Sequence, residues 1–158
     1  MVVDILIKFE VDMGLINFDI SKTLEDLETA STAHTRRSSM VSRDQELRKK
    51  PLKDFSIEEL RSMIGKNSSL KYLVPLAIER LHVDSLAKGD TYEGDLLNAV
   101  LTVEKKFWVD DLHGYIPLLN AIIEKSSDLV KANPADYEKF MQHSSGAINI
   151  FKANIAHI

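Results

Sequence analysis

Apolar residues recur at helical spacing through most of this chain, most clearly between Pro51 and Trp108. Ile57, Leu60, Met63 and Ile64 form one stripe. Ser56 precedes it as an N-cap, and Glu59, three residues on, completes a capping box, with Phe55 and Leu60 at the staple positions. Gly65 follows as a C-terminal stop. A second stripe holds Leu70, Leu73, Val74, Ala77, Ile78 and Leu81, with Asn67, Ser68 or Ser69 available as its cap. Pro75 lacks an amide proton, which favours a start nearer Leu73. Asp90 and Glu93 repeat the cap-box spacing ahead of Leu96, Leu97, Val100 and Leu101, and Thr102 is placed to cap a short turn holding Phe107 and Trp108. Beyond it, Tyr115, Leu118, Leu119, Ile122 and Ile123 suit a helix with Pro117 near its start, extended by Leu129 and Val130. Asn133-Pro134 then pairs an N-cap with proline at the first helical position. Tyr137, Phe140, Met141, Ile148 and Phe151 suit a last helix, weakened at Gly146.

The N-terminal rhythm differs. Val3, Ile5, Ile7, Phe9 and Val11 alternate with Asp4, Leu6, Lys8, Glu10 and Asp12, as on a strand. Met13-Gly14 is a turn, and Ile16, Phe18 and Ile20 alternate again, so residues 1–20 suit a β-hairpin. A lone hairpin is barely stable in water, so its apolar face must pack on the helical body or on another chain. Residues 21–28 read as a short helix or turn, and residues 29–43, rich in serine and threonine, as an exposed loop. Ser39 or Ser42 is placed to cap a short helix to Lys50, which Pro51 stops. The predicted fold class is mainly α, a compact multi-helix bundle or short helical array with an N-terminal hairpin appendage.

Length and composition fit one domain spanning residues 1–158, large enough for a core without staples. The chain has no cysteine, so it has neither disulfides nor thiolate metal sites, as suits a reducing cytosol. No apolar run approaches the roughly 20 residues that cross a bilayer, and charges interrupt the N-terminus at Asp4, Lys8 and Glu10. A cytoplasmic protein is expected. The net charge of −4 argues against a general nucleic-acid binder.

Candidate chemistry is thin. The five histidines (His34, His82, His113, His143 and His157) are scattered. Glu79 and His82 have the spacing of a di-iron helix without a second such pair. Ser68 and Lys71 match a serine-acylase spacing without its companion motifs, and Ser68 is better explained as a cap. Neither a catalytic residue, a metal nor a cofactor is expected. A helix–turn–helix over residues 57–81 has a plausible length, but Lys71 and Arg80 are the basic residues on its second helix. Charge is unevenly placed. Residues 32–53 hold Arg36, Arg37, Arg43, Arg48, Lys49, Lys50 and Lys53 against two carboxylates. Residues 84–111 hold Asp84, Asp90, Glu93, Asp95, Glu104, Asp110 and Asp111 against three lysines. Two solvated faces explain this; so does an acidic patch that docks a basic partner. Tyr92 and Trp108 flank the patch, and Trp108 suits the core better than an interface.

The run LRKKPLKDFSIEELRSMIGKNSSLKYLVPLAIERL, followed by GDTYEGDLLNAVL and EKKFW, resembles the immunity proteins of bacterial contact-dependent growth inhibition (CDI) systems, and the preceding KTLEDLE fits their opening. The resemblance covers about residues 22–108, leaving 109–158 as further C-terminal helices. It implies a non-enzymatic inhibitor that binds the C-terminal toxin domain of a cognate CDI protein, often a nuclease, and blocks its active site or substrate surface. Matched positions such as Phe55, Gly65, Pro75, Gly89, Asp95 and Trp108 are then fold determinants. Together with the charge pattern, the resemblance makes Asp84, Asp90, Tyr92, Glu93, Asp95, Asp110 and Asp111 the candidate toxin-binding residues. No direct nucleic-acid or membrane partner is expected. A helical DNA-binding regulator or adaptor is the competing expectation.

Overall fold

The computed structural model describes residues 16–29 and 42–158. Among them are eight α-helices: α1 (Leu24–Thr29), α2 (Ser42–Leu47), α3 (Ile57–Gly65), α4 (Leu70–Val83), α5 (Asp95–Leu101), α6 (Lys105–Val109), α7 (Ile116–Lys131) and α8 (Pro134–Ile155). Short 3-10 turns at Leu52–Asp54 and His113–Tyr115 complete them. The described residues form a compact helical array without strands, apart from one isolated antiparallel bridge between Lys88 and Glu93. The strand expected over residues 3–12 and the Met13-Gly14 turn lie outside the described residues. Residues 16–20, expected to pair in a hairpin, are irregular and end in a turn, with Ile16, Phe18 and Ile20 packed against the core.

Local side-chain caps set three of the helix starts among the described residues. The capping box of α3 is complete: the Glu59 N–H donates to Ser56 Oγ at 3.1 Å, and the Ser56 N–H donates to Glu59 Oε1 at 2.9 Å. Thr23 and Asp26 exchange the same pair of bonds ahead of α1. Asn133 Oδ1 accepts the Ala135 and Asp136 N–H groups, and Pro134 occupies the first position of α8.

Elsewhere the ends move. Gly65 is the last residue of α3 rather than its stop, and the left-handed residue is Asn67, at φ 58°. Ser68 N–H bonds back to Met63 O and Asn67 N–H to Ile64 O, a Schellman pattern in which asparagine takes the place glycine usually fills. α4 starts at Leu70 and not near Leu73. Pro75 deletes one bond, back to exposed Lys71, while burial of Leu70, Leu73 and Val74 holds the first turn in place. Thr102 ends α5 rather than starting the next turn, its hydroxyl donating to Asn98 O and Ala99 O. α2 stops at Leu47, short of Lys50.

One hydrophobic cluster joins the array, from Leu24 through Leu60, Leu73, Leu97 and Trp108 to Phe151. α3 packs chiefly on α5, α7 on α8, and α5 also on α8. Trp108 is fully buried. Its indole N–H donates to Val103 O at 3.1 Å, and its ring meets Phe151 edge-on at 5.3 Å. The buried stripe of α8 is Phe140, Ser144, Ala147 and Phe151; Tyr137, expected on that stripe, stands 36% exposed.

Candidate functional site

Residues 84–94 connect α4 to α5 and carry three of the exposed carboxylates that the sequence marked, Asp84, Asp90 and Glu93. Their geometry is fixed from three sides. The first is Asp95, the opening residue of α5 and only 3% exposed. Its carboxylate accepts the N–H groups of Gly89 at 2.7 Å, Thr91 at 3.0 Å and Tyr92 at 3.4 Å. The second is α3. Glu58 Oε1 accepts the Asp90 N–H at 2.8 Å, and Arg61 holds Glu58 by two hydrogen bonds while its Nε lies 3.9 Å from Asp95 Oδ2. The Arg61 hydrogen bond keeps the Glu58 carboxyl below its usual range against the opposing effect of burial. Glu58 likewise raises the Arg61 guanidinium. The third is α8. The Tyr92 ring stacks on His143, centroids 4.2 Å apart and planes 14° from parallel, and Asn98 Nδ2 donates to both Tyr92 Oη and His143 O.

Glycine is required twice in this loop. A Cβ on Gly89 would lie 2.5 Å from Glu58 Oε1 and 3.2 Å from Glu58 Cα, so the loop backbone sits directly on α3. Gly94 has φ 92°, a conformation that L side chains rarely adopt, and its N–H closes the loop onto Leu86 O.

The seven residues marked by sequence therefore separate into different roles. Asp84, Asp90 and Glu93 are exposed on this loop. Tyr92 is half-buried, with one ring face on His143. Asp95 faces inward onto backbone amides, and the Asp90–Glu93 pair forms no capping box. Asp110 and Asp111 are exposed but sit elsewhere, after α6. Their neighbour Trp108 packs on Phe151, two helical turns along α8 from His143, or about 12 Å at 1.5 Å per residue. Glu58, Arg61 and His143 were not marked. Their signal is spatial, because 32 residues separate Glu58 from Asp90 and 51 separate Tyr92 from His143.

Three residues of the basic stretch are engaged within the fold, while Lys49 and Lys53 are exposed. Lys50 reaches Glu59 at 2.8 Å, Arg43 reaches Glu59 at 3.5 Å, and Arg48 pairs with Glu28. Arg36 and Arg37 lie outside the described residues. Arg80, one of the two bases expected on a DNA-reading helix, donates to Phe55 O and Lys53 O. Among the described residues, no group of three or more potential metal ligands converges, and no helix is long and apolar enough to cross a membrane.

The family model of the CDI immunity proteins matches residues 24–115, which is more than half of the chain. The chain belongs to the CDI immunity protein family. The match takes in α1 to α6 and the whole of the loop at residues 84–94, and it ends at Tyr115, just before α7. α7 and α8 thus lie beyond the part this CDI immunity protein shares with the family model, although α8 supplies one wall of the loop. No curated protein and no solved structure matches the chain.

Proposed function

We propose that this CDI immunity protein neutralises a cognate CDI toxin domain with nuclease activity by covering its substrate surface with the carboxylates of residues 84–94. Family membership supports the inhibitory role. The loop carries the finer reading: Asp95, Glu58 and Arg61 hold its backbone from within, while Asp84, Asp90 and Glu93 remain exposed. A nuclease must attract phosphate, so its cleft is electropositive. A row of carboxylates on a fixed backbone can take the place of that phosphate, with little ordering cost on binding. Asp110 and Asp111 are exposed away from the loop and are not part of this contact. The protein performs no reaction of its own in this scheme.

The test is binding of the purified, catalytically disabled cognate toxin domain. Asp90→Asn with Glu93→Gln should weaken association at low salt and flatten its salt dependence, with folding unaffected. Unchanged affinity in this variant would refute the acidic loop as the contact, and absence of binding by the parent chain would refute the pairing itself.

A further inference from the structure

Gly146 lies in the interior of the 22-residue helix α8, where glycine costs stability relative to alanine. Nothing in the fold requires it. It is exposed, its φ is not positive, and a Cβ there would meet no atom within 4 Å. The spacing Lys139, His143, Gly146, Ile150 places it in the middle of one helix face, and all four residues are exposed, Ile150 by 48%. His143, one turn before Gly146, stacks on Tyr92 of the acidic loop. The face is therefore continuous with the loop that carries Asp90 and Glu93.

We infer that this face of α8 is the second half of the toxin-binding surface, and that Gly146 leaves a notch for a protruding side chain of the toxin domain. The inference rests on the reading of the loop as a toxin-binding element. A bare helix backbone between His143 and Ile150 admits closer approach than any other residue would allow. Ile150 supplies apolar area and the loop carboxylates supply the charged rim, the division seen in specific interfaces. The adjoining loop carries Asp84, Asp90 and Glu93 against Lys88, and with Lys139 on the face the exposed balance stays acidic, which favours a cationic partner over a second copy of this chain with the same loop. The family model ends at Tyr115, so this half of the surface lies outside the matched residues. It is where discrimination between one toxin and another is expected.

Substitution at Gly146 separates binding from folding because the two should move in opposite directions. Gly146→Ala and Gly146→Gln remove the helix cost without a clash, so Tm should hold or rise by about 2–4 °C for a chain of this size. Filling the notch with Gly146→Gln should nonetheless weaken binding of the disabled toxin domain at least tenfold, mainly through faster dissociation, with the salt dependence retained. An affinity within twofold of the parent in the Gly146→Gln variant would overturn the inference. So would a parent that dimerises in sedimentation while the variant does not, because the notch would then seat a second copy. Loss of binding in Asp90→Asn with Glu93→Gln beside an unaffected Gly146→Gln would overturn the notch alone. No binding by the parent would overturn the underlying reading as well.

Discussion

Asp95 accepts the Gly89 N–H at 2.7 Å, so the first residue of α5 fixes the loop that precedes it. The same carboxylate holds Thr91 and Tyr92, and Arg61 approaches from α3. Replacing Asp95 with alanine leaves these half-buried amides without their acceptor. A loss of about 2–4 kcal/mol is expected, read as a lower urea midpoint, because hydrogen bonds to a charged group are worth more than neutral ones. Toxin affinity should fall with it. The exposed variant Asp90→Asn should affect binding without that stability loss.

Gly89→Ala tests how closely the loop sits on α3. The added methyl overlaps Glu58 Oε1, which Arg61 and the Asp90 N–H hold in place. A cost of about 1–3 kcal/mol is expected. Glu58→Ala removes the nearest clash but not the contact with the α3 backbone. The double variant should therefore cost less than the sum of the single ones in thermal unfolding.

Acid should weaken the same junction. The Glu58 carboxyl is lowered chiefly by Arg61, with burial opposing and the Asp90 N–H assisting. Burial is the largest influence on Glu59 and raises it, but the Lys50 and Ser56 hydrogen bonds and the charges of Lys50 and Arg43 together outweigh it, so Glu59 is lowered too. A lowered folded pKa means that the unfolded chain binds protons first. The stabilisation is complete above the ordinary carboxylate value of 4.5 and is lost as pH falls through the folded value. Urea midpoints should hold near neutrality and drop as pH falls below 4.5. Glu58→Gln should be less stable at pH 7 and show a shallower acid limb.

Trp108 is the sole tryptophan, so its fluorescence reports on the core directly. Trp108→Phe removes the bond to Val103 O, but Asn154 Nδ2 also points at that oxygen, at 3.4 Å. The carbonyl keeps a partner, and the cost is mainly lost packing against Phe151, about 1–3 kcal/mol. Chemical denaturation followed by circular dichroism measures it. Toxin affinity should not change, since the indole is fully buried.

The sequence by itself determined what depends on neighbours a few residues apart. Ser56 with Glu59, Asn133 with Pro134, and the apolar stripes of α3, α4 and α7 were legible because capping and helical faces are set within one or two turns. The same local pattern misplaced Gly65 and the Asp90–Glu93 pair. Asparagine can also take a left-handed stop, and a buried carboxylate at Asp95 satisfies the loop amides better than an exposed one. Tertiary structure alone decided that Glu58 and Arg61 hold the loop, that His143 meets Tyr92, and that Asp110 and Asp111 stand apart from Asp90. Those relationships join residues 32 to 51 positions apart or separate nearby ones, and they follow from the packing of α3, α5 and α8. No periodicity along the chain encodes such distances.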